Sequence, residues 1–212
     1  MNMRVSLVSK IIFVLLFSFV FLFLVGCSSA ISKIDYSNVF NRKGWNHTDE
    51  VIKKLDIKKG DVVVDLGAGD GYFSFYLAEA VGKNGKVYAI DLSKSEVNKI
   101  KSRVEKEGVS NIYPILASEK NPNIPTNDVD LIFMSNSYHH ISERVEYFSN
   151  INKHIDINGR IAVLDTKKGT PFFVIPHGVH SEQIKKELKD AGYQYITGYD
   201  FLPFNNFEVF SK

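Results

Sequence analysis

Two kinds of hydrophobic pattern alternate along most of this chain. Short apolar runs rich in β-branched residues, such as residues 61–66 and 129–135, are typical of strands that are buried on both faces of a sheet. Between such runs, apolar residues recur at helical spacing, as Phe73, Tyr76 and Leu77 do. Helices of this length between strands predict right-handed crossovers and a mostly parallel sheet that is covered by helices on both sides.

The ends of these segments carry capping signals. We predict strands over residues 61–66, 86–91, 111–116, 129–135 and 160–165, and late extended segments over 194–199 and 207–210. Ser93 and Glu96 form a capping box that opens a helix, and Gly108 can end it in a left-handed conformation. Thr48 and Ser181 are each predicted to cap the start of another helix. Further helices are predicted over residues 71–81 and 142–155.

The first 26 residues follow a different pattern. Arg4 and Lys10 are the only charged residues there, and residues 11–25 are apolar except for Ser18, the length of a signal-peptide core. The run ends at Gly26 and Cys27, which resembles the lipobox of bacterial lipoproteins. The resemblance predicts a signal peptide over residues 1–26, lipidation of Cys27, a tether over 27–44 and a domain over 45–212. An uncleaved anchor is the alternative, and both interpretations place the domain outside the cytoplasm, on the periplasmic or extracellular face.

Composition and charge restrict the classes of partner that this chain is expected to bind. The chain of 212 residues is 44% hydrophobic and 24% charged, with a formal net charge of +2. Without Arg4 and Lys10, the 26 basic residues become 24 and match the 24 acidic residues. A neutral domain lacks the charge that binding to phosphate backbones requires, which argues against a nucleic-acid partner. We expect a small-molecule substrate and a membrane association that depends on the lipid at Cys27.

The turn after the first predicted strand is rich in glycine. Residues 65–71 read Asp-Leu-Gly-Ala-Gly-Asp-Gly. Glycines let the backbone approach a ligand closely, and the N–H groups at a helix start favour an anionic group. In this arrangement, the Asp65 carboxylate can face a ligand's ammonium group while loop amides hold the ligand's carboxylate. A dinucleotide fingerprint would have glycine at position 72, which is Tyr72, and this disfavours a nicotinamide-dependent oxidoreductase.

An acid follows at the end of the second strand. Asp91 can accept hydrogen bonds from both hydroxyls of a ribose. Together, the loop and Asp91 resemble motif I and the ribose-binding acid of class I S-adenosylmethionine-dependent methyltransferases. The resemblance extends over residues 45–212 and implies S-adenosylmethionine as the cofactor. The residues that it implies as cofactor contacts are Asp65, Gly67, Ala68, Gly69, Gly71, Tyr72, Asp91, Leu92, Ser118 and Asn136.

The same resemblance implies a fold. It is a Rossmann-like three-layer α/β/α sandwich with a seven-stranded, mostly parallel sheet of order 3-2-1-4-5-7-6, in which the last strand is antiparallel. The chain shares four landmarks with a group of small bacterial methyltransferases: Gly-Tyr-Phe at 71–73, Tyr-His-His at 138–140, Asp-Thr-Lys-Lys-Gly at 165–169 and Phe-Leu-Pro at 201–203.

Two positions depart from the family pattern. Many relatives have an aspartate for the adenine amino group after the third strand, where this chain has Ala117, Ser118 and Glu119. Ser118 or Glu119 could take that role. Gly178 stands where relatives tend to have a basic residue, which removes one expected contact for an acidic substrate group.

The residues after the fourth strand are the candidates for chemistry, because ligands bind at the carboxyl edge of such sheets. Asn136 could line the methionine end of the cofactor, and His139 or His140 could be a general base. The histidines could equally cap a helix, with Tyr138 only packing. Metal ligation is disfavoured, because no His-Glu-x-x-His helix or thiolate set accompanies the candidate ligands. Those histidines are His139, His140, His177 and His180.

Two functions of different classes fit this pattern best. The first is an S-adenosylmethionine-dependent methyltransferase that acts on a small molecule, a lipid or a metalloid. The second is a degenerate exported domain that binds a nucleoside-like ligand without turnover. The second stays open because S-adenosylmethionine is made in the cytoplasm, whereas the signal sequence directs the domain outside.

Overall fold

The computed structural model describes residues 42–170 and 178–212. The predicted signal peptide, Cys27, most of the tether and His177 lie outside the described residues. The chain divides into two units, Met1–Asn46 and His47–Lys212. The first unit contributes one described helix, α1 (Arg42–Trp45), and all other elements belong to the second. Within the described ranges, no helix has the length and apolarity needed to cross a membrane.

Helices and strands alternate in the second unit as predicted. The strands are β1 (Val62–Leu66), β2 (Lys86–Asp91), β3 (Ile112–Leu116), β4 (Val129–Ser135), β5 (Ile155–Thr166), β6 (Gln194–Tyr199) and β7 (Asn205–Ser211). The α-helices are α2 (Thr48–Lys54), α3 (Tyr72–Val81), α4 (Lys94–Glu107), α5 (Arg144–Ile151) and α6 (Ser181–Asp190). Two 3₁₀ turns, Tyr138–His140 and Asn152–His154, flank α5.

The seven strands form one sheet of order β3-β2-β1-β4-β5-β7-β6. The pairs from β3 to β5 are all parallel, and β7 runs antiparallel to both β5 and β6. The predicted fold and strand order are therefore confirmed. β1 and β4 are neighbours at the centre of the sheet although two strands separate them in sequence, so this is the point where the strand order reverses.

The sheet separates two apolar cores. Val63 belongs to one core and Val64 to the other, and Leu131 and Ile132 of β4 divide in the same way. All four side chains are fully buried. Burial on both faces explains why the central strands are apolar at consecutive positions rather than at alternate ones.

The predicted caps are confirmed only in part. The Ser93 hydroxyl accepts from the Glu96 N–H at 3.4 Å, and Gly108 ends α4 with a φ of 67°. The prediction for Thr48 is wrong, because its hydroxyl pairs with the Tyr72 hydroxyl at 2.7 Å and caps no helix. The prediction for Ser181 is also wrong, because this residue lies inside the first turn of α6 and donates to Glu208 at 2.5 Å. In both cases, the hydroxyl makes a tertiary bond to another element instead.

A charged cluster links α5 and α6 to the turn at Tyr138. Arg144 donates to both carboxylate oxygens of Glu187, at 2.7 and 3.0 Å, and the Tyr138 hydroxyl donates to Glu187 at 2.7 Å. Burial raises the pKa of Glu187, but donation from Arg144, Gln183 and Tyr138 outweighs it and holds the pKa below its ordinary value. The cluster thus fixes the turn between β4 and α5 from the helical side.

We expect Arg144→Met to lower the free energy of unfolding by about 1–3 kcal/mol, since it leaves a half-buried carboxylate without its main donor. Lys186→Met is the matched control, because it removes an exposed ion pair within α6 and should leave stability nearly unchanged. Denaturant unfolding of the full chain and both variants measures the difference. Equal stability of Arg144→Met and wild type would show that the cluster contributes nothing.

Candidate active site

Two loops meet where β1 and β4 end. A Cβ added to Gly67 would lie 2.3 Å from Cβ and 2.7 Å from Oγ of Ser137, and φ at Gly67 is +80°. The Ser137 hydroxyl also donates to the Leu66 carbonyl at 2.6 Å. Only glycine satisfies both the backbone conformation and this close approach. The contact brings the glycine-rich loop directly against the turn that carries the histidine pair.

The glycine loop uses most of its N–H groups inside the protein. Those of Gly67 and Ala68 donate to the Ile90 carbonyl at 2.8 and 3.0 Å, and that of Gly71 donates to the Ala68 carbonyl. The Gly69 N–H donates to Asp91 at 2.8 Å. The expectation that these amides hold a ligand carboxylate therefore requires correction. They fix the loop to the end of β2, because β1 and β2 are adjacent in the sheet.

Asp91 keeps acceptor positions available at the end of β2. Its two oxygens accept the N–H groups of Gly69 and Ser93, each at 2.8 Å. A carboxylate has about four acceptor positions, so two remain for a pair of hydroxyls. The neighbouring Leu92 side chain is 58% exposed and offers an apolar surface, and a Cβ added to Gly69 would meet no atom within 4 Å. Acceptor, apolar surface and open space fit the nucleoside part of S-adenosylmethionine.

Asp65 lies beneath the loop rather than on its surface. It is 2% exposed, and its carboxylate accepts from the Ser74 hydroxyl at 2.6 Å. Burial raises the pKa of Asp65 to about 7, and the charges of Asp91 and Asp70 act in the same direction. A cationic group nearby would favour the ionised form of this carboxyl, so an ammonium ligand is chemically compatible with it.

The other predicted cofactor residues lie around the same edge. The Tyr72 hydroxyl joins α3 to Thr48 in α2. Asn136 has a φ of 52°, and its side-chain oxygen accepts from Thr166 at 3.0 Å and from Asn205 at 3.2 Å, which directs it towards β5 and β7. Ser118 is exposed beyond the end of β3, where its hydroxyl donates to the Asn121 carbonyl at 3.2 Å.

His139 is held by a buried carboxylate. Its Nδ1 donates to Oδ1 of Asp165 at 2.7 Å, and its backbone N–H donates to Oδ2 at 3.1 Å. Asp165 is fully buried and also accepts the Thr166 N–H at 2.7 Å. A carboxylate on one ring nitrogen fixes the tautomer and orientation of an imidazole and stabilises the imidazolium form. His139 therefore keeps Nε2 as the nitrogen that can take a proton.

The histidine pair lines a small cleft. The rings of His139 and His140 are 4.0 Å apart between centroids, and both border a cleft of about 330 Å³ together with Lys168 and Gly178. His140 is exposed, whereas the His139 side chain is 11% exposed. In the part of the chain that the structure describes, no group of three or more histidine, cysteine or acidic side chains could hold a metal ion.

The residue pattern predicted no functional role for two residues of this site. Asp165 was only a landmark of the resemblance, and Ser137 was not singled out at all. Ser135 pairs with Leu164 in the sheet, which places the residues after β4 beside the end of β5. Asp165 lies near the end of β5, the strand beside β4, and this position was the signal that could have identified it. The signal can be recognised only when the strand order is known, and the residue pattern does not contain that order.

Comparison of the sequence with known proteins identifies methyltransferases as relatives. A demethylmenaquinone methyltransferase from Geobacillus is 23% identical over 61% of this chain and 55% of its own length. A ubiquinone/menaquinone biosynthesis C-methyltransferase from Francisella philomiragia is 28% identical over 68% of this chain and 57% of its own. The chain thus spans little more than half the length of these curated relatives.

A solved structure and a family match extend the comparison. The structure of a SAM-dependent methyltransferase from Aquifex aeolicus superposes with a TM-score of 0.72 and 27% identity, over 86% of this chain and 96% of that one. Aeropyrum pernix fibrillarin, solved with bound S-adenosylmethionine, shares 17% identity at a TM-score of 0.61 and shows the common fold alone. The methyltransferase domain family matches residues 57–200, a span from just before β1 to just beyond β6. The chain therefore belongs to the methyltransferase domain family.

Proposed function

We propose that this chain is an S-adenosylmethionine-dependent methyltransferase that acts on a small molecule, a lipid or a metalloid. The observation that carries the proposal is the contact of Gly67 with Ser137, since it sets a nucleoside-binding edge beside an oriented histidine. The similarity to a SAM-dependent methyltransferase of nearly the same length supports the cofactor. Relatives named as quinone C-methyltransferases and as a phosphoethanolamine N-methyltransferase support a small acceptor.

Asp91 would hold the ribose of the cofactor and Leu92 would contact its base, while the buried Asp65 would favour an ammonium group above it. Gly67, Ala68, Gly69, Gly71 and Tyr72 shape the wall between them, and Ser118 and Asn136 border the two ends. S-adenosylmethionine, when bound, supplies a methyl group activated by a sulfonium. The chain's task is to align the acceptor, exclude water and remove a proton where the acceptor has one.

His139 is the general base in this proposal. Its Nε2 takes the proton from the acceptor, while Nδ1–H stays on Asp165 and the carboxylate offsets the charge that forms on the ring. Asp165 acts as a positioning residue, because it is buried behind the ring and reaches the acceptor only through it. The bond between His139 and the buried carboxylate of Asp165 supports His139 rather than His140 as the base.

Asp91→Ala should weaken binding of S-adenosylmethionine at least tenfold, since losing two charge-assisted hydrogen bonds to ribose costs about 2–4 kcal/mol. Calorimetry on the full chain in detergent measures the affinity. Asp128→Ala, an exposed acid near β4, is the control and should bind normally. Equal affinity of Asp91→Ala and wild type would refute the ribose assignment, and absence of binding by wild type would refute the cofactor.

His139→Ala should leave cofactor affinity nearly intact and lower single-turnover methylation by about 10²–10⁴-fold, the range of a general base. His140→Ala is the matched control and should retain most activity. Methyl-labelled S-adenosylmethionine and an extract of the producing bacterium provide the assay. Full activity in both variants would mean that the pair only terminates the turn, and a large loss in His140→Ala alone would transfer the role to that residue.

The proposed location of the protein depends on Cys27. Lipidation there would attach the domain to a membrane on the outer side, with the several acyl chains that firm anchoring needs. In cells fed radioactive palmitate, wild type should be labelled, and Cys27→Ser should accumulate as an unlabelled precursor. Ser28→Ala is the control and should be labelled normally. Label in Cys27→Ser, or a wild type found wholly in the cytosol, would contradict the lipidation.

A further inference from the structure

The described lining of the cleft beside the histidine pair includes a lysine and no acid. Its described walls come from His139, His140, Lys168 and Gly178. Its volume of about 330 Å³ is that of a small-molecule site. Asp165, the carboxylate that is bonded to His139, is fully buried.

Lys168 is held in a defined turn rather than on a free loop. The Thr170 N–H donates to the Lys167 carbonyl at 3.1 Å, and Gly169 between them has a φ of +88°. The Lys168 N–H donates to the Val179 carbonyl at 3.1 Å. Three connected backbone features therefore place this lysine at the carboxyl end of β5, next to Asp165.

The ammonium groups of Lys167 and Lys168 differ in their contacts. The Lys167 ammonium donates to the Leu202 carbonyl at 2.9 Å and to the Pro203 carbonyl at 3.4 Å, so it ties β5 to the segment before β7. Among residues 42–170 and 178–212, by contrast, the exposed Lys168 ammonium makes no ion pair. A cation that lines a cleft in this way attracts anions.

Gly178 is a position of the described lining that cannot carry a side chain. A Cβ there would lie 2.7 Å from the carbonyl oxygens of both Thr166 and Lys167, so the backbone packs too closely for any other residue. No acid can occupy this position and neutralise Lys168. Lys168 supplies a positive charge to the described lining of this cleft.

We propose that the methyl acceptor carries an oxyanion, a carboxylate or a phosphate, that pairs with the Lys168 ammonium. This rests on the proposed function, because it identifies the substrate of the same site. Since His139 and Lys168 border one cleft, an acceptor held by its anion at Lys168 presents a second group to His139. The anion gives orientation without entering the reaction.

Binding of simple anions tests the site directly. Histidine-ring NMR signals of the full chain in detergent are followed at constant pH and ionic strength during titration with benzoate, inorganic phosphate or neutral benzamide. Benzoate or phosphate should shift the His139 and His140 signals saturably, and benzamide should not. The anion with the higher affinity distinguishes a carboxylate from a phosphate. Lys168→Met should weaken binding of the anion about two- to fivefold, the size of an exposed charge contact.

Two controls separate charge from structure. Lys168→Arg should retain anion binding, and Lys106→Met, at the far end of α4, should match wild type. The labelled product from the bacterial extract should also be retained by an anion exchanger. The proposal is overturned by no saturable shift with either anion, by equal shifts with benzamide, by wild-type affinity in Lys168→Met, or by an unretained product. Loss of S-adenosylmethionine binding would instead overturn the proposed function, which these titrations do not probe.

Discussion

The close approach of Gly67 to Ser137 is the constraint on which the site depends. With a Cβ at position 67 only 2.3 Å from that of Ser137, the loop after β1 and the turn after β4 could not lie together. The approach occurs because β1 and β4 are paired in the centre of the sheet although two strands and two helices separate them in sequence. The reversal of strand order therefore places the ends of β1 and β4 side by side, and Gly67 lets the segments that follow them pack together.

The turn that carries His139 is fixed from two sides. Towards the sheet, Asp165 accepts both the ring N–H and the backbone N–H of His139. Towards the helices, the neighbouring Tyr138 is fully buried and donates to Glu187, which Arg144 also binds. Side chains held by bonds to two rigid elements keep a defined orientation, which is what general-base catalysis requires. The cluster at Glu187 thus holds the turn that carries the proposed base.

The site has acidic side chains around the proposed cofactor and a basic side chain in the cleft beside the histidines. Asp91 is half-buried and satisfied by two backbone N–H groups, whereas burial raises the pKa of Asp65 to about 7. An ammonium ligand would stabilise the charged form of Asp65, which burial alone disfavours. Lys168 and the paired imidazoles line a cleft whose described lining has no acid. The proposed cofactor side therefore has acidic groups, and the proposed acceptor side has a basic one.

Local features were predictable because they depend on neighbours in sequence. The buried central strands follow from consecutive β-branched residues, and the start and end of α4 follow from Ser93, Glu96 and Gly108. The glycine loop and Asp91 were identified as a ligand site by their spacing from strand ends. By the same logic, Thr48 and Ser181 were expected to cap helices. Both predictions failed, because each hydroxyl finds a partner on a distant element.

The strand order came from the resemblance, and the partners across that order came only from the structure. Asp165 lies 26 residues from His139 in sequence, and Ser137 lies 71 residues from the Leu66 carbonyl that it binds. Hydrophobic periodicity records which face of an element is buried, but it does not record which strand lies beside which. The sequence by itself thus determined the helices and strands, their buried faces and the position of the glycine-rich loop. Tertiary structure alone decided that Asp165 holds His139, that Lys167 and Lys168 have different roles, and that the loop amides bind the protein itself.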